Sequence, residues 1–164
     1  MSVSVIIPSR NERFLPETVD DIFAKARGEL EVIVILDENF QEVKPREGLR
    51  VSTKETGQPG LRSAINQGIR MATGKYIFKV DAHCMFGEGF DVILAAECEE
   101  HWVVIPRRYS LEPGTSPWSI RHHRPTIDYE FYKFPYLEEV EAVRMGGKWH
   151  ERAKERADIL LDEN

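Results

Sequence analysis

The sequence predicts an α/β fold: a three-layer α/β/α sandwich in which helices cover both faces of a mostly parallel sheet. Three runs rich in β-branched and aromatic residues end abruptly in polar residues, as strands buried on both faces do. They span residues 3–7, 32–36 and 75–80. Segments with apolar residues at helical spacing separate these runs, so strands and helices alternate up to residue 105. We assign residues 1–105 to this core and residues 106–164 to an irregular and helical tail of the same domain.

The first predicted helix joins the first two strands. Pro16 suits the first turn of this helix, and Gly28 is placed to end it. A strand, a helix and a second strand with such short links imply a right-handed crossover. The apolar positions of the helix recur at helical spacing and are Leu15, Val19, Ile22, Phe23 and Ala26.

The later elements follow the same alternation. A short strand is expected near residues 49–52, and the loop over residues 57–60 precedes a second helix that ends at Gly74. A third helix begins near Phe90. We also expect a short strand over residues 102–105, stopped by Pro106, and a helix around residues 151–161.

Composition excludes several classes of protein. The 164 residues contain 41% hydrophobic residues, enough for one domain with its own core and too many for a wholly disordered chain. No apolar run approaches the roughly 20 residues that span a bilayer. No basic region precedes the first apolar stretch, which argues against a signal peptide. We therefore expect a cytoplasmic protein, which a partner or a missing segment could attach to a membrane.

The net charge and the cysteine content argue against a nucleic-acid-binding protein and against a zinc site. The chain has 22 Lys and Arg against 28 Asp and Glu, a formal charge of −6. An acidic domain is a poor partner for nucleic acid, because that affinity depends on neutralising phosphates. Cys84 and Cys98 match no zinc-binding spacing, so we expect both to be reduced and mostly buried.

The candidate site residues come directly after the predicted strands. In open parallel sheets, ligands bind outside the carboxyl ends of the strands, so polar side chains at these positions could meet in one crevice. The polar residues there are Ser9, Arg10, Asn11, Glu12, Asp37, Glu38, Asp81 and His83.

Asp81 and His83 form a candidate metal site. On an extended backbone, residues two apart point to the same side, so a carboxylate and an imidazole could bind one cation. This donor set suits Mn²⁺ or Mg²⁺ and leaves coordination positions for water and phosphate. The simpler alternative is that Asp81 forms a turn and His83 packs where it can.

Two further side chains are candidates for nucleotide contacts. Asp37 could accept a hydrogen bond from a base or a ribose, or could simply form a turn. Arg62 lies near the start of the second predicted helix, where free N–H groups and the helix dipole favour anions such as phosphate. Otherwise Arg62 is a solvated surface residue.

Motifs that would indicate a different chemistry are absent from the sequence. One basic cluster has two possible roles. The chain contains no phosphate-binding loop of the G-x-x-x-x-G-K-[ST] type, no H-E-x-x-H and no G-x-S-x-G. Residues 121–124 form a basic cluster with Trp118, Tyr129, Tyr132 and Tyr136 nearby. Such a cluster either faces a diphosphate or an acceptor, or is a solvated loop.

The order of these motifs resembles the GT-A glycosyltransferases, in particular glycosyltransferase family 2. The opening residues 3–12, the second strand ending on Asp37, and the run over residues 72–81 all match in order and spacing. Residues 81–83 are similar to an Asp-x-His variant of the family's Asp-x-Asp metal motif. The resemblance covers residues 3–105.

This resemblance implies a transferase that takes a sugar from a nucleotide diphosphate, with UDP as the expected nucleotide and a divalent metal as cofactor. Asp81 and His83 would hold Mn²⁺ or Mg²⁺, which would neutralise the diphosphate. The acceptor would be a glycan, a lipid-linked molecule or a protein. The same resemblance implies that the nucleotide-binding residues are Pro8, Ser9, Asn11, Glu12, Asp37, Arg62 and Asp81.

The match fails after residue 105. Members of the family carry their catalytic base in a later acidic motif that has no counterpart here, so we expect an N-terminal half in which no base is assigned. A nucleotide- and metal-binding module without turnover is the first alternative. A nucleotidyltransferase-like protein is the second, although its glycine-rich opening is missing after the first strand. Apolar surface left by a missing half could also drive self-association, although the sequence does not give the oligomeric state.

Overall fold

A parallel sheet of four strands forms the centre of the first of two units into which the chain divides, Met1–Cys98 and Glu99–Asn164. The computed structural model describes residues 2–37, 42–54, 60–100, 102–112, 119–124, 126–127, 129–132 and 145–148. Within the described ranges, no helix is long and apolar enough to cross a membrane.

The strand order of the sheet creates one switch point. The order is β3-β2-β1-β4, and every neighbouring pair is parallel. From β1 the chain moves outward to β2 and β3, and then crosses back to place β4 on the other side of β1. Crevices at such a reversal are where open α/β sheets bind ligands. The strands are β1 (Ser2–Ser9), β2 (Glu29–Leu36), β3 (Leu49–Thr53) and β4 (Tyr76–Lys79).

Helices cover both faces of this sheet, which confirms the predicted three layers. Helix α1 (Leu15–Lys25) and helix α3 (Phe90–Ala96) contribute to one apolar cluster, with the side chains of Val3, Val5 and Ile7 from the central strand. Helix α2 (Leu61–Met71) packs on the opposite face, where Ala64 meets Ile33 and Ile35. A Cβ on Gly68 would lie 2.4 Å from Ile6 Cγ2, so glycine lets α2 approach the sheet closely.

A carboxylate at the amino edge of the sheet ties three elements together. Glu31 Oε1 accepts hydrogen bonds from Ser4 Oγ at 2.7 Å, Thr73 N at 2.6 Å and Thr73 Oγ1 at 2.8 Å. Arg50 Nη1 lies 3.3 Å from Glu31 Oε2. Burial alone would raise the pKa of Glu31, but these hydrogen bonds outweigh it and lower the pKa to about 2.

We expect Glu31→Gln to cost about 2 kcal/mol of unfolding free energy at neutral pH, because it removes a charged acceptor. The folded pKa is below the ordinary value of 4.5, so this stabilisation is complete above that pH and is lost as the pH falls toward about 2. Urea unfolding of both proteins at several pH values measures this. The difference should shrink on acidification, and Glu47→Gln, at an exposed residue, should change little. A gap that stays constant with pH would contradict this origin.

Two expectations at the edges of the elements need correction. The strand expected over residues 102–105 is not formed, since residues 102–107 have neither helix nor strand geometry. A β-branched run becomes a strand only where another strand supplies backbone partners, and none of the described residues pairs with this segment. Helices α1 and α2 end at Lys25 and Met71, each three residues before the predicted Gly28 and Gly74. Beyond α1, Asp91 accepts hydrogen bonds from the backbone N–H groups of Arg27 and Gly28.

The second unit contains short strands where the sequence pattern predicts irregular structure. Strand β5 (Leu111–Glu112) pairs with β6 (Ser119–Ile120), and β7 (Tyr129–Tyr132) pairs with β8 (Met145–Lys148), both antiparallel. Strands of two to four residues are too short to show a period, which is why the pattern does not reveal them. The helix expected around residues 151–161 lies outside the described residues.

Candidate functional site

The carboxyl edge of the sheet brings several predicted site residues together. Asp37 N donates to Ser9 O at 2.8 Å, which extends the pairing of β1 and β2 by one step. Lys54 N donates to Leu36 O at 2.8 Å and extends β3 in the same way. Three consecutive strands therefore end level with one another, and the residues that follow them share one rim.

Asp37 lies at this rim in a largely buried ion pair. Its Oδ1 is 3.0 Å from Lys54 Nζ, and only 12% of the Asp37 side chain and 10% of the Lys54 side chain are exposed. The paired ammonium compensates the charge of the buried carboxylate and holds it in one orientation. Lys54 is not among the candidates predicted from the sequence, although it directly follows β3.

The four candidates at the end of β1 divide into buried and accessible pairs. Pro8 and Ser9 are buried in the strand. Asn11 has a φ of 60°, in the left-handed region that Asn tolerates better than most residues, and this turns the chain out of the strand. Asn11 is therefore exposed and Glu12 half-buried.

The loop after β1 meets the turn that follows β4. Glu12 Oε2 lies 3.4 Å from His83 Nδ1, although 71 positions separate the two residues in the chain. The side chains are 37% and 53% exposed, so both remain accessible to a ligand. A carboxylate next to one ring nitrogen of a histidine favours a proton on that nitrogen and leaves the other nitrogen as a ligand.

Asp81 and His83 are placed differently from the extended geometry that their spacing predicts. Strand β4 ends at Lys79, and Ala82 and His83 lie in a turn. Ala82 is nevertheless buried while the residues on either side of it are partly or fully exposed. The Asp81 carboxylate forms an ion pair with Lys79. Within the described ranges, no three acidic, histidine or cysteine side chains converge to hold a metal by themselves.

Arg62 is exposed in the first turn of α2. This helix follows β3 and precedes β4, so its N-terminus lies toward the carboxyl edge of the parallel sheet. Gln67 Nε2 fixes the helix there by donating to Ser52 Oγ at 3.1 Å and to Thr53 O at 2.9 Å. No acidic side chain lies in the first turn of α2, and the helix dipole there favours an anion.

A cavity of about 660 Å³ lies beside the end of β2. Its lining is mostly apolar and comes from β2, β3 and the segment between them. None of Glu12, Asp81 and His83 contributes to it. Its lining residues are Leu36, Glu42, Val43, Pro45, Arg46, Leu49 and Val51.

The basic cluster over residues 121–124 forms a turn in the second unit. Arg124 N donates to Arg121 O at 3.0 Å, and Arg121 Nε lies 3.1 Å from Glu112 Oε2. His122 and His123 are exposed. Of the aromatic residues noted near this cluster, Trp118 and Tyr136 lie outside the described residues.

Comparison with known proteins identifies a family for this chain. The model of glycosyl transferase family 2 matches residues 4–153. No curated protein has a matching sequence. Among solved structures, residues 1-349 of TarS from S. aureus are 25% identical, with a TM-score of 0.49 over 58% of this chain and 32% of that one. A mannosyltransferase from Pyrobaculum calidifontis, PcManGT, solved with GDP-Man and Mn²⁺, is 27% identical with a TM-score of 0.49, over 58% of this chain and 31% of that one.

The chain spans about a third of the length of these solved structures. The family model, by contrast, covers nearly all of the chain, from within β1 to beyond β8, so the match continues past residue 105, where the resemblance in the sequence ends. The chain belongs to glycosyl transferase family 2.

Proposed function

We propose that this chain is the donor-binding part of a metal-dependent glycosyl transferase that uses a UDP-sugar. One observation supports this proposal above all: Glu12 Oε2 lies beside His83 Nδ1, beyond the carboxyl ends of β1 and β4. The same rim holds the paired carboxylate of Asp37. In a member of family 2, carboxylates and a histidine at this edge are suitable groups to bind a nucleotide diphosphate and its metal.

The nucleoside is recognised at the ends of β1 and β2. A carboxylate has two oxygens and can accept from several donors, so Asp37 can bind Lys54 and a ligand N–H together. The uracil ring presents such a donor at N3, whereas cytosine presents a lone pair there. Asp37 therefore favours uridine over cytidine. Asn11 and Glu12 supply the accessible side chains of the adjacent wall, and the buried Pro8 and Ser9 form the strand end behind them.

The diphosphate binds between α2 and the turn after β4. The guanidinium of Arg62 and the N-terminal N–H groups of α2 both favour phosphate oxygens. Asp81 and His83 supply an oxygen and a nitrogen ligand, a donor set that fits Mn²⁺ better than Mg²⁺. Glu12 lies beside the Nδ1 side of the His83 ring, which would leave Nε2 to bind a metal.

A divalent cation bound there would stabilise the negative charge that develops on the leaving nucleoside diphosphate. The part of this chain in the reaction is to hold the donor and expose its sugar to an acceptor. The acceptor is a hydroxyl of a glycan, a lipid-linked molecule or a protein. No described residue is assigned as the base that removes the acceptor proton.

Calorimetric titration with UDP, CDP and GDP, each with and without Mn²⁺, tests this proposal. We expect UDP to bind more tightly than CDP, because uracil donates a hydrogen bond from N3 and cytosine does not, and we expect Mn²⁺ to strengthen UDP binding about tenfold or more. His83→Ala should abolish most of the metal-dependent gain and leave metal-free binding nearly unchanged. Release of UDP from a UDP-sugar with an acceptor would then separate a transferase from a module that only binds.

His123→Ala is the matched control, because it removes an exposed histidine from the second unit. It should behave as the wild type in all titrations. Equal UDP affinity with and without Mn²⁺ in the wild type would remove Asp81 and His83 from the metal role. Release of pyrophosphate from an NTP and a sugar phosphate would instead indicate a nucleotidyltransferase.

A further inference from the structure

The chain that leaves the metal motif is hydrogen-bonded to helix α1. Cys84 N donates to Thr18 Oγ1 at 3.1 Å, and Phe86 N donates to Asp21 Oδ2 at 2.7 Å. Thr18 and Asp21 are three positions apart on the helix and so lie on one side of it. Sixty-six positions separate Thr18 from Cys84.

Further hydrogen bonds join this segment to the end of α1 and to the residues that follow it. Gly89 N donates to Lys25 O at 2.8 Å. Asp91 Oδ2 then accepts from Gly28 N at 2.7 Å, and Asp91 is fully buried. Because the residue numbers rise together on both sides, the segment over residues 84–91 runs alongside α1 from its first half to its end.

The Thr18 contact acts directly on the metal motif. The N–H of Cys84 belongs to the peptide group that joins His83 to Cys84, and that group is planar. Fixing this N–H therefore fixes the orientation of the peptide that carries the His83 side chain. Thr18 is fully buried, so water is poorly placed to replace its hydroxyl as the acceptor.

Asp21 supports the next peptide along the same loop. It is partly buried, and this burial raises the pKa of its carboxyl, against the hydrogen bond from Phe86 and the charge of Lys25, which lower it. The carboxyl group accepts from the Phe86 N–H and holds the loop two residues beyond Cys84.

We propose that Thr18 and Asp21 are positioning residues for the metal motif, because they hold the backbone that presents His83 next to Glu12. The inference rests on the proposed function, since it takes Asp81 and His83 as the metal ligands. Groups that orient metal ligands typically change metal affinity by 10- to 100-fold when removed. Nucleoside recognition at Asp37 is on a different strand end and should not depend on Thr18.

The test is a titration of Mn²⁺ into the protein saturated with UDP, with free Mn²⁺ followed by electron paramagnetic resonance. Thr18→Val keeps the shape of the side chain and removes the acceptor, so it should weaken Mn²⁺ binding about tenfold while metal-free UDP affinity stays within twofold. Thr18→Ser restores an acceptor hydroxyl and should restore most of the Mn²⁺ affinity. In the metal-free protein, amide exchange at Cys84 and Phe86 should accelerate in Thr18→Val.

Asp21→Leu and Asp21→Asn form a second pair that repeats the test at Phe86. The leucine variant should lose Mn²⁺ affinity, and the asparagine variant, which keeps an acceptor oxygen, should retain most of it. Glu31→Gln serves as a control for general loss of stability and should leave Mn²⁺ affinity unchanged.

Three results decide the matter. Weakened Mn²⁺ binding in Thr18→Val with rescue by Thr18→Ser supports the positioning role. Unchanged Mn²⁺ binding in folded Thr18→Val overturns it and leaves the proposed function intact. A wild-type protein that binds UDP but no Mn²⁺ overturns both the metal site and this inference.

Discussion

Asp37→Ala is expected to lower the affinity for UDP by about 100-fold, both with and without Mn²⁺. The carboxylate is the group at the end of β2 that can accept a base or ribose hydrogen bond, and such charged hydrogen bonds contribute about 1.5–3 kcal/mol. The variant also leaves Lys54 buried without its partner at 3.0 Å. Isothermal calorimetry at a temperature where the variant is folded measures the loss.

The matched control is Asp20→Ala, which removes an exposed carboxylate from helix α1. Asp20→Ala should bind UDP as the wild type does. Asp37→Asn, which keeps one acceptor oxygen, should fall between the wild type and Asp37→Ala. Unchanged UDP affinity in folded Asp37→Ala would show that the nucleoside is recognised elsewhere.

Gly74→Ala should destabilise the protein by about 3 kcal/mol, the largest change in stability that we expect from one methyl group. A Cβ at this position would lie 2.6 Å from Ser4 N, 2.7 Å from Ser4 Oγ and 2.8 Å from Val3 C. Two of these atoms belong to the backbone of the central strand and cannot move aside, so the added methyl group must displace β1 or the segment that leads into β4.

Gly87→Ala makes the same chemical change in open space, where no atom lies within 4 Å of the new Cβ. Its stability should stay close to that of the wild type. Chemical denaturation of the three proteins compares them directly. Equal midpoints for Gly74→Ala and Gly87→Ala would mean that the close approach of residue 74 to β1 is not present in solution.

The architecture is predictable because strands buried on both faces leave a strong local pattern. Residues 3–7 and 32–36 are nearly continuous in β-branched residues, and each run stops close to a polar group. The polar groups that end such strands share one edge by topology alone, which is why the sequence pattern is enough to make Asp37 a candidate.

The contacts that hold the candidate site are not predictable in this way. The pairing of Glu12 with His83 and of Thr18 with Cys84 joins residues that are 71 and 66 positions apart. Helical and strand periods relate only residues that are close in the chain. The contacts between these distant residues depend on where α1 and the loop after β4 lie against the sheet, which a local pattern does not specify. Lys54 is not predicted for a different reason. It follows β3, and the short, polar sequence of this strand indicates only weakly where the strand ends.

The proposed function requires that Asp81 and His83 bind a cation that also binds a nucleotide diphosphate. A crystal grown with UDP and Mn²⁺, measured near the manganese absorption edge, locates the metal by its anomalous scattering. We expect one strong peak in contact with the Asp81 carboxylate, the His83 imidazole and the diphosphate oxygens. A structure with UDP bound and manganese absent from these two side chains would contradict it.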